Sequence, residues 1–167
     1  MMMNFKLMKS LNYVDFVGTI NQTNVPPGSL VTINEWLRNS DICPDSKILE
    51  IACSTGFNLR ELTHRSGAGG IGIDISEPSI LSARRNQKLL NNLEVEYIHG
   101  DAYEYSFKTN FTHIVAGAAL GFFDDKPKII KRVVSLLLDR GHLLVSPFYV
   151  HSTIPEKLLM EAKKVLG

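Results

Sequence analysis

The sequence predicts an α/β fold of three layers, in which helices cover both faces of a mainly parallel sheet. From residue 46 onward, short apolar runs alternate with segments that carry apolar residues at helical spacing. Such alternation is typical of parallel strands joined by crossover helices. The chain has 167 residues, 44% of them hydrophobic, which suits one domain with one core.

The amino-terminal part lacks this alternation. Residues 1–28 are expected to be irregular, and the Asn, Pro and Gly residues within 21–28 predict an exposed loop. A helix is expected from Ser29 and should end before Asp41, because the Cys-Pro-Asp sequence at 43–45 signals a turn. Its apolar face is predicted to carry Leu30, Ile33 and Leu37, with Trp36 beside them.

Strands and helices then follow each other in order. Ser76 can cap a helix whose first turn holds Glu77 and Pro78. The strands are predicted over residues 48–52, 70–75, 95–99, 111–116 and 142–146, and the helices over 57–64, 76–90, 126–138 and 154–166. The third of these helices is expected to bury Ile130, Val133, Val134 and Leu137 and to end at a turn over 139–141.

Composition excludes several classes of protein. The formal net charge of +1 gives no attraction to a phosphate backbone, so nucleic acid is not the expected partner. No apolar run approaches the roughly 20 residues of a membrane span, and we expect no membrane partner. Cys43 and Cys53 form no disulfide framework, so a reduced, cytoplasmic setting is expected. The five histidines are scattered without ligand spacing, and no metal is expected.

The first predicted strand leads into a loop of small residues. In a sheet of this kind a ligand sits outside the carboxyl ends of the strands. Glu50 lies near the end of the strand, Ala52 is its last residue, and Cys53, Ser54 and Gly56 follow it. Small side chains let the backbone approach a ligand closely, and the amides that open the next helix can receive an acceptor group. An ordinary tight turn between strand and helix explains the loop equally well.

Two aspartates lie at the carboxyl ends of the next two strands. Asp74 can accept hydrogen bonds from both hydroxyls of a ribose, as the acid does in dinucleotide folds, and the alternative is a solvated aspartate that caps a helix. Asp101 can accept from an exocyclic amine such as that of adenine, although Gly-Asp is also a common turn sequence.

Together these segments resemble the class I S-adenosylmethionine-dependent methyltransferases. The likeness is strongest to the small-molecule group related to the ubiquinone/menaquinone and sarcosine methyltransferases. It rests on residues 48–57, 72–76, 100–102, 111–115 with 120–123, and 136–144, within a match over about 45–149. The resemblance implies a Rossmann-like sheet of strand order 3-2-1-4-5. It also implies a cofactor-binding domain over 45–167, preceded by a cap segment and helix over 1–44.

The resemblance also implies S-adenosyl-L-methionine as the cofactor and a role for each matching residue. The methionine part would lie against Glu50, Ala52, Cys53, Ser54 and Gly56, the ribose against Asp74, the adenine against Ile75, Asp101 and Ala102, and the sulfonium above Ala116 and Gly117. In the amino-terminal segment, Tyr13 and Thr19 are expected to cover the cofactor.

Some positions depart from the family pattern. Ala52 and Ser54 stand where the family has glycines, Thr112 where it often has an acid, and Gly117 where it usually has a polar residue. His113 is interpreted as a core histidine rather than a base, and no catalytic base is assigned. Methyl transfer is an in-line displacement that needs alignment and exclusion of water. Phe122, Phe123, Phe148 and Tyr149 are candidates to wall the pocket for a small-molecule acceptor, with core packing as the alternative.

The family's sheet has seven strands, and the last two are not predicted in this sequence. We expect a fragment of a longer protein first, and a dimer contact that covers the fifth strand second. Two other functions stay open. A nicotinamide-dependent enzyme would need GxGxxG after the first strand, where only Gly56 occurs. A cofactor-binding or assembly module without its own catalysis is the other alternative.

Overall fold

The computed structural model describes residues 10–90, 94–149 and 153–166. Five strands form one sheet of order β3-β2-β1-β4-β5, and every ladder between neighbouring strands is parallel. This confirms the predicted fold class and strand order. The strands are β1 (Lys47–Ile51), β2 (Gly69–Asp74), β3 (Val95–His99), β4 (Phe111–Gly117) and β5 (Leu137–Val145).

Helices cover both faces of the sheet. They are α1 (Tyr13–Thr19), α2 (Leu30–Asn39), α3 (Phe57–Ser66), α4 (Glu77–Gln87), α5 (Lys126–Leu136) and α6 (Glu156–Leu166), with a 3₁₀ helix at Ala119–Phe122. The 3₁₀ helix was not predicted. Apart from it, α1 and β5, the elements begin and end within about three residues of the predicted bounds. No helix in the described part of the chain is long and apolar enough to cross a bilayer.

The core lies in two layers because successive side chains of a buried strand point to opposite faces. Ile48 and Leu49 are neighbours on β1, and both are fully buried. Ile48 packs in the cluster that includes Leu59 of α3, whereas Leu49 packs in the cluster that includes Ile129 of α5. The central strand is thereby covered on both sides, and its carboxyl end is fixed in position.

Helix α1 was not predicted, since residues 1–28 were expected to be irregular. Asn12 caps it by accepting a hydrogen bond from the Asp15 amide at 2.8 Å. It packs against α4, where the Ser82 hydroxyl donates to the Gly18 carbonyl at 2.8 Å. A Cβ at Gly18 would lie 2.6 Å from the Pro78 carbonyl carbon, so glycine permits this approach. A helix of about two turns is too short for its sequence to show the helical period of apolar residues.

Helix α5 buries a different face from the predicted one. Val133 is buried as predicted, together with Ile129 and Leu136, whereas Ile130 and Val134, which were also predicted to be buried, are exposed. The predicted phase was therefore wrong by about one residue.

The turn predicted over 139–141 lies inside β5 instead of before it. Phe111 pairs with Leu137 and His113 pairs with His142, so β5 carries extra residues between these two pairs. Arg140 there has a φ of 60°, the left-handed value that residues in a bulge often adopt. The Asp-Arg-Gly sequence, which is typical of turns, thus forms a bulge within a strand that is longer than predicted.

Candidate functional site

A cavity of about 240 Å³ opens at the carboxyl ends of β1, β2 and β4. It spans the boundary between β1 and β4, where the direction of strand order reverses and where sheets of this type bind ligands. Seven residues predicted for the site line this cavity: Glu50, Ala52, Cys53, Ser54, Asp74, Ala116 and Gly117.

The loop after β1 has an unusual backbone. Ala52 and Ser54 both have a φ of 49°, and Gly56 has a φ of 79°. Non-glycine residues rarely adopt this left-handed region, and each such residue costs on the order of 1–3 kcal/mol. Ala52 and Ser54 therefore keep a glycine-like backbone in the positions where the resemblance places glycines.

Asp74 joins this loop to β2. Its Oδ2 accepts from the Ser54 amide and its Oδ1 from the Ser76 amide, both at 2.8 Å. Burial raises the pKa of the Asp74 carboxyl, and the two amide hydrogen bonds oppose that shift. The carboxylate is buried rather than solvated, and each oxygen keeps a lone pair for a further donor.

Glu50 is the last residue but one of β1 and lines the cavity. Its Oε1 accepts from Asn58 Nδ2 at 2.8 Å, and its Oε2 accepts from the Leu59 amide at 3.0 Å. Burial raises the pKa of Glu50 to about 8, and the nearby Asp74 carboxylate adds to the rise. A carboxyl in this state gains or loses a proton near neutral pH, so a cationic group beside it would hold it ionised.

Sequence reasoning missed Asn58, which also lines the cavity. It lies in the first turn of α3 and is 7% exposed. Its Oδ1 has no hydrogen-bond partner among the described residues. A polar side chain in the first turn of a helix that packs on the sheet is the signal that would have pointed to it.

Gly56 was predicted for the site but does not line the cavity. A Cβ at Gly56 would overlap the phenol of Tyr97, with the ring carbon Cζ 2.6 Å away. The Tyr97 hydroxyl donates to the Gly56 carbonyl at 3.1 Å. The glycine therefore allows close packing of the loop against β3, in addition to its left-handed φ.

The three residues predicted for adenine lie outside the cavity lining. Ile75 is 64% exposed, and Ala102 is buried in the core. Asp101 is exposed, and its Oδ1 accepts from the Tyr103 amide at 2.8 Å, as in a turn. Contact of these residues with adenine stays a prediction.

The amino-terminal segment forms one wall of the cavity. Tyr13 lines it, and the Tyr13 ring stacks on Phe122 at a centroid distance of 6.2 Å. Thr19 is exposed and its hydroxyl donates to the Asp15 carbonyl, so the structure does not place it at the cavity. The wall also contains five residues that were not predicted: Val14, Val17, Asn24, Val25 and Pro26.

The four aromatic candidates divide into two pairs. Phe122 and Phe148 line the cavity. Phe123 packs edge-on against Tyr103 at 5.5 Å, and Tyr149 is 83% exposed. Of the four, only Phe122 and Phe148 are placed to contact a ligand in the cavity.

His113 does not line this cavity; it lies near the start of β4, where it pairs with Ile48 of β1. It is buried, and its Nε2 donates to the Ser40 carbonyl at 2.6 Å while Nδ1 accepts from the Thr112 hydroxyl at 2.8 Å. Burial lowers the pKa of His113. The interpretation of His113 as a satisfied core histidine is confirmed. Within the described ranges, no group of three His, Cys, Asp or Glu side chains is placed to hold a metal.

Comparison with known proteins finds a curated relative and a solved structure that share about a quarter to a third of the aligned residues with this chain. A demethylmenaquinone methyltransferase of Bacillus cereus (strain ATCC 10987 / NRS 248) is 27% identical over 113 residues, which are 66% of this chain and 48% of that protein. The crystal structure of the MccD protein is 33% identical with a TM-score of 0.74, covering 84% of this chain and 63% of that one. This chain therefore spans about half the length of the curated relatives it matches.

A second solved structure shares the fold at lower identity. The SAM-dependent methyltransferase from Thiobacillus denitrificans, solved with S-adenosyl-L-homocysteine, has a TM-score of 0.75 and 18% identity. The likeness covers 92% of this chain and 62% of that one. At this identity it shows a common fold.

One family model matches the part of the chain that builds the cavity. The model described as "Methyltransferase domain" matches residues 48–141, more than half of the chain. That stretch runs from β1 into β5 and includes the loop after β1 and the ends of β2 and β4. The chain therefore belongs to the methyltransferase domain family.

Proposed function

We propose that the domain binds S-adenosyl-L-methionine and that the protein transfers its methyl group to a small-molecule acceptor. The observation that carries this proposal is the pair of buried carboxyl groups, Glu50 and Asp74, at the ends of adjacent strands around one cavity. They are the charged side chains among the described residues that line it. Hydroxyl and ammonium groups are hydrogen-bond donors, so these acceptors fit the ribose and the methionine of the cofactor.

Each predicted residue has a role in this proposal. Glu50 faces the ammonium group of the methionine, and Asp74 accepts from the ribose hydroxyls through its remaining lone pairs. The loop of Ala52, Cys53 and Ser54 brings its backbone close to the ligand, with Gly56 shaping the turn. Ile75, Asp101 and Ala102 serve the adenine, and Ala116 and Gly117 lie beside the sulfonium, whose activated methyl group is what the cofactor supplies when bound.

The chain's own contribution to transfer is alignment and exclusion of water. Tyr13, Phe122 and Phe148 line the cavity and present apolar surface to it. Such a wall holds an acceptor in line and keeps water out, which an in-line displacement requires more than a strong base. The similarity to a demethylmenaquinone methyltransferase supports an acceptor of small-molecule class.

The proposal extends to organisation and location. Residues 45–167 would form the cofactor-binding domain, with 1–44 as a cap segment and helix; the contribution of Tyr13 to the cavity supports that division. Cys43 is exposed and Cys53 buried, and both are free thiols, which suits the reducing cytoplasm. A homodimer stays a prediction.

Titration calorimetry tests cofactor binding. We expect S-adenosylhomocysteine to bind and NADH to give no heat of binding; the reverse result would favour a nicotinamide enzyme.

A transfer assay with methyl-labelled S-adenosylmethionine and a panel of small acceptors tests turnover. Binding without transfer by the full-length protein would favour a non-catalytic module.

Cofactor binding is expected to release a proton near pH 7. Glu50, with its pKa raised to about 8, is mostly protonated at pH 7, and an ammonium group selects its ionised form. The apparent Kd should therefore fall as the pH rises, by roughly tenfold per unit below pH 8, and level off above it. Calorimetry of S-adenosylhomocysteine in buffers of different ionisation enthalpy measures the proton count.

Glu50→Gln is the control for this linkage. The glutamine side chain cannot ionise. The Kd of this variant for S-adenosylhomocysteine should therefore vary little between pH 6 and 8, and no proton should be released at residue 50. A wild-type Kd that is constant over this range would contradict the placement of the ammonium beside Glu50.

A further inference from the structure

The Asn58 side chain has one occupied and one unoccupied hydrogen-bonding end. It is 7% exposed, and its Nδ2 donates to Glu50 Oε1 at 2.8 Å. Its Oδ1 is buried, and among the described residues it accepts no hydrogen bond. Leaving a buried acceptor without a partner is costly, so such atoms are rare in native proteins.

The orientation of this amide follows from its neighbours. Both oxygens of Glu50 accept hydrogen bonds, one from Asn58 Nδ2 and one from the Leu59 amide. A bound ammonium group keeps the Glu50 carboxyl ionised, and in that state reversing the amide would set Asn58 Oδ1 against Glu50 Oε1, two acceptors facing each other. Oδ1 is therefore the end that is free to receive a ligand.

The amide lies at the cavity between the ends of β1 and β4. Asn58, Glu50 and Gly117 all line it. A Cβ at Gly117 would lie 3.2 Å from Asn58 Nδ2, so glycine at this position leaves the amide uncrowded. The free Oδ1 and the Glu50 carboxyl thus belong to the same polar part of the cavity wall. This part of the wall can bind a hydrogen-bond donor that carries positive charge.

Resting on the proposed function, we propose that Asn58 Oδ1 accepts a hydrogen bond from the ammonium group of the cofactor's methionine. An ammonium has three donors, and Glu50 and Asn58 supply two acceptors from adjoining side chains. Asn58 thereby contributes to the preference for ligands that carry the α-amino group.

The test compares two ligands, S-adenosylhomocysteine and its analogue with hydrogen in place of the α-amino group. The wild type should prefer S-adenosylhomocysteine by roughly 10- to 100-fold in Kd, as expected for buried hydrogen bonds to a charged group. Asn58→Leu, which has no acceptor, should lose roughly tenfold of that preference and bind the analogue about as well as the wild type does. If the leucine variant does not fold, Asn58→Ala gives the same comparison without added bulk.

Two further variants separate direct contact from a merely structural role. Asn58→Asp keeps an acceptor and should keep the preference. Thr63→Val removes another buried polar group of α3, whose hydroxyl donates to the Leu59 carbonyl, and should leave the preference unchanged. In a Glu50→Gln background, Asn58→Leu should still reduce the preference; no further reduction there would mean that Asn58 acts only through Glu50 and would overturn the inference.

The outcomes distinguish this inference from the function on which it rests. A wild type that binds neither ligand would overturn the proposed function and this assignment with it. A wild type that prefers S-adenosylhomocysteine, alongside a folded Asn58→Leu with the same preference, would overturn the assignment of Asn58 alone.

Discussion

Replacing Gly56 with valine is expected to lower the free energy of unfolding by roughly 2–5 kcal/mol, the sum of backbone strain and overpacking. Gly56 has a φ of 79°, which a β-branched residue tolerates poorly. Its new side chain would also collide with the buried Tyr97 ring, because even a Cβ would come within 2.6 Å of Tyr97 Cζ. Urea unfolding at pH 7 measures the loss.

The matched control is Gly121→Val. A Cβ at Gly121 would meet no atom within 4 Å, so its unfolding free energy should change by less than about 0.5 kcal/mol. The sequence analysis attributed the small residues of this loop to close approach of a ligand, and on that explanation valine at position 56 would block binding without loss of stability. A Gly56→Val protein of normal stability that fails to bind S-adenosylhomocysteine would restore that explanation and contradict the packing one.

Asp74→Ala is expected to damage both stability and binding. It leaves the amides of Ser54 and Ser76 without their acceptor. At roughly 1–3 kcal/mol for each stranded donor, the free energy of unfolding should fall by about 2–6 kcal/mol. The loop after β1 loses its anchor on β2 as well, so affinity for S-adenosylhomocysteine should fall by more than about tenfold.

Asp101→Ala separates the two effects. Asp101 is exposed and accepts from the Tyr103 amide in a local turn, so its removal should cost little stability. Weakened binding by a stable Asp101→Ala protein would support its contact with adenine. An Asp74→Ala protein whose unfolding free energy stays within about 1 kcal/mol of the wild type would contradict the anchoring role of Asp74.

The part of the site that follows strand ends was predictable from the sequence. Glu50 lies next to the last residue of one buried strand and Asp74 ends the next, and topology brings the carboxyl ends of parallel strands to one edge of the sheet. Val14 and Val17 meet the same cavity only because α1 packs on α4, whose residues lie more than 60 positions further along the chain. No local pattern contains a contact of that kind.

The phase of α5 could not be decided locally for a different reason. Ile129 and Ile130 are both apolar, as are Val133 and Val134, so two faces one residue apart match the helical period equally well. Contact with the sheet selects Ile129 and Val133. The true length of β5 could not be predicted from the sequence because Arg140, which has a φ of 60°, belongs to a sequence that is typical of turns.

The all-parallel sheet also affects how the chain reaches this state. The Thr112 hydroxyl contacts the backbone of Lys47 across a separation of 65 residues, and the β1–β4 ladder starts there. Closing so long a loop lowers the conformational entropy of the chain before the strand contacts that compensate for this loss have formed. We therefore expect folding to be slow for a chain of this size. Glu50 and Gly117 meet only after that closure. A ligand for the cavity would therefore recognise the native chain alone and shift the folding equilibrium toward it by mass action.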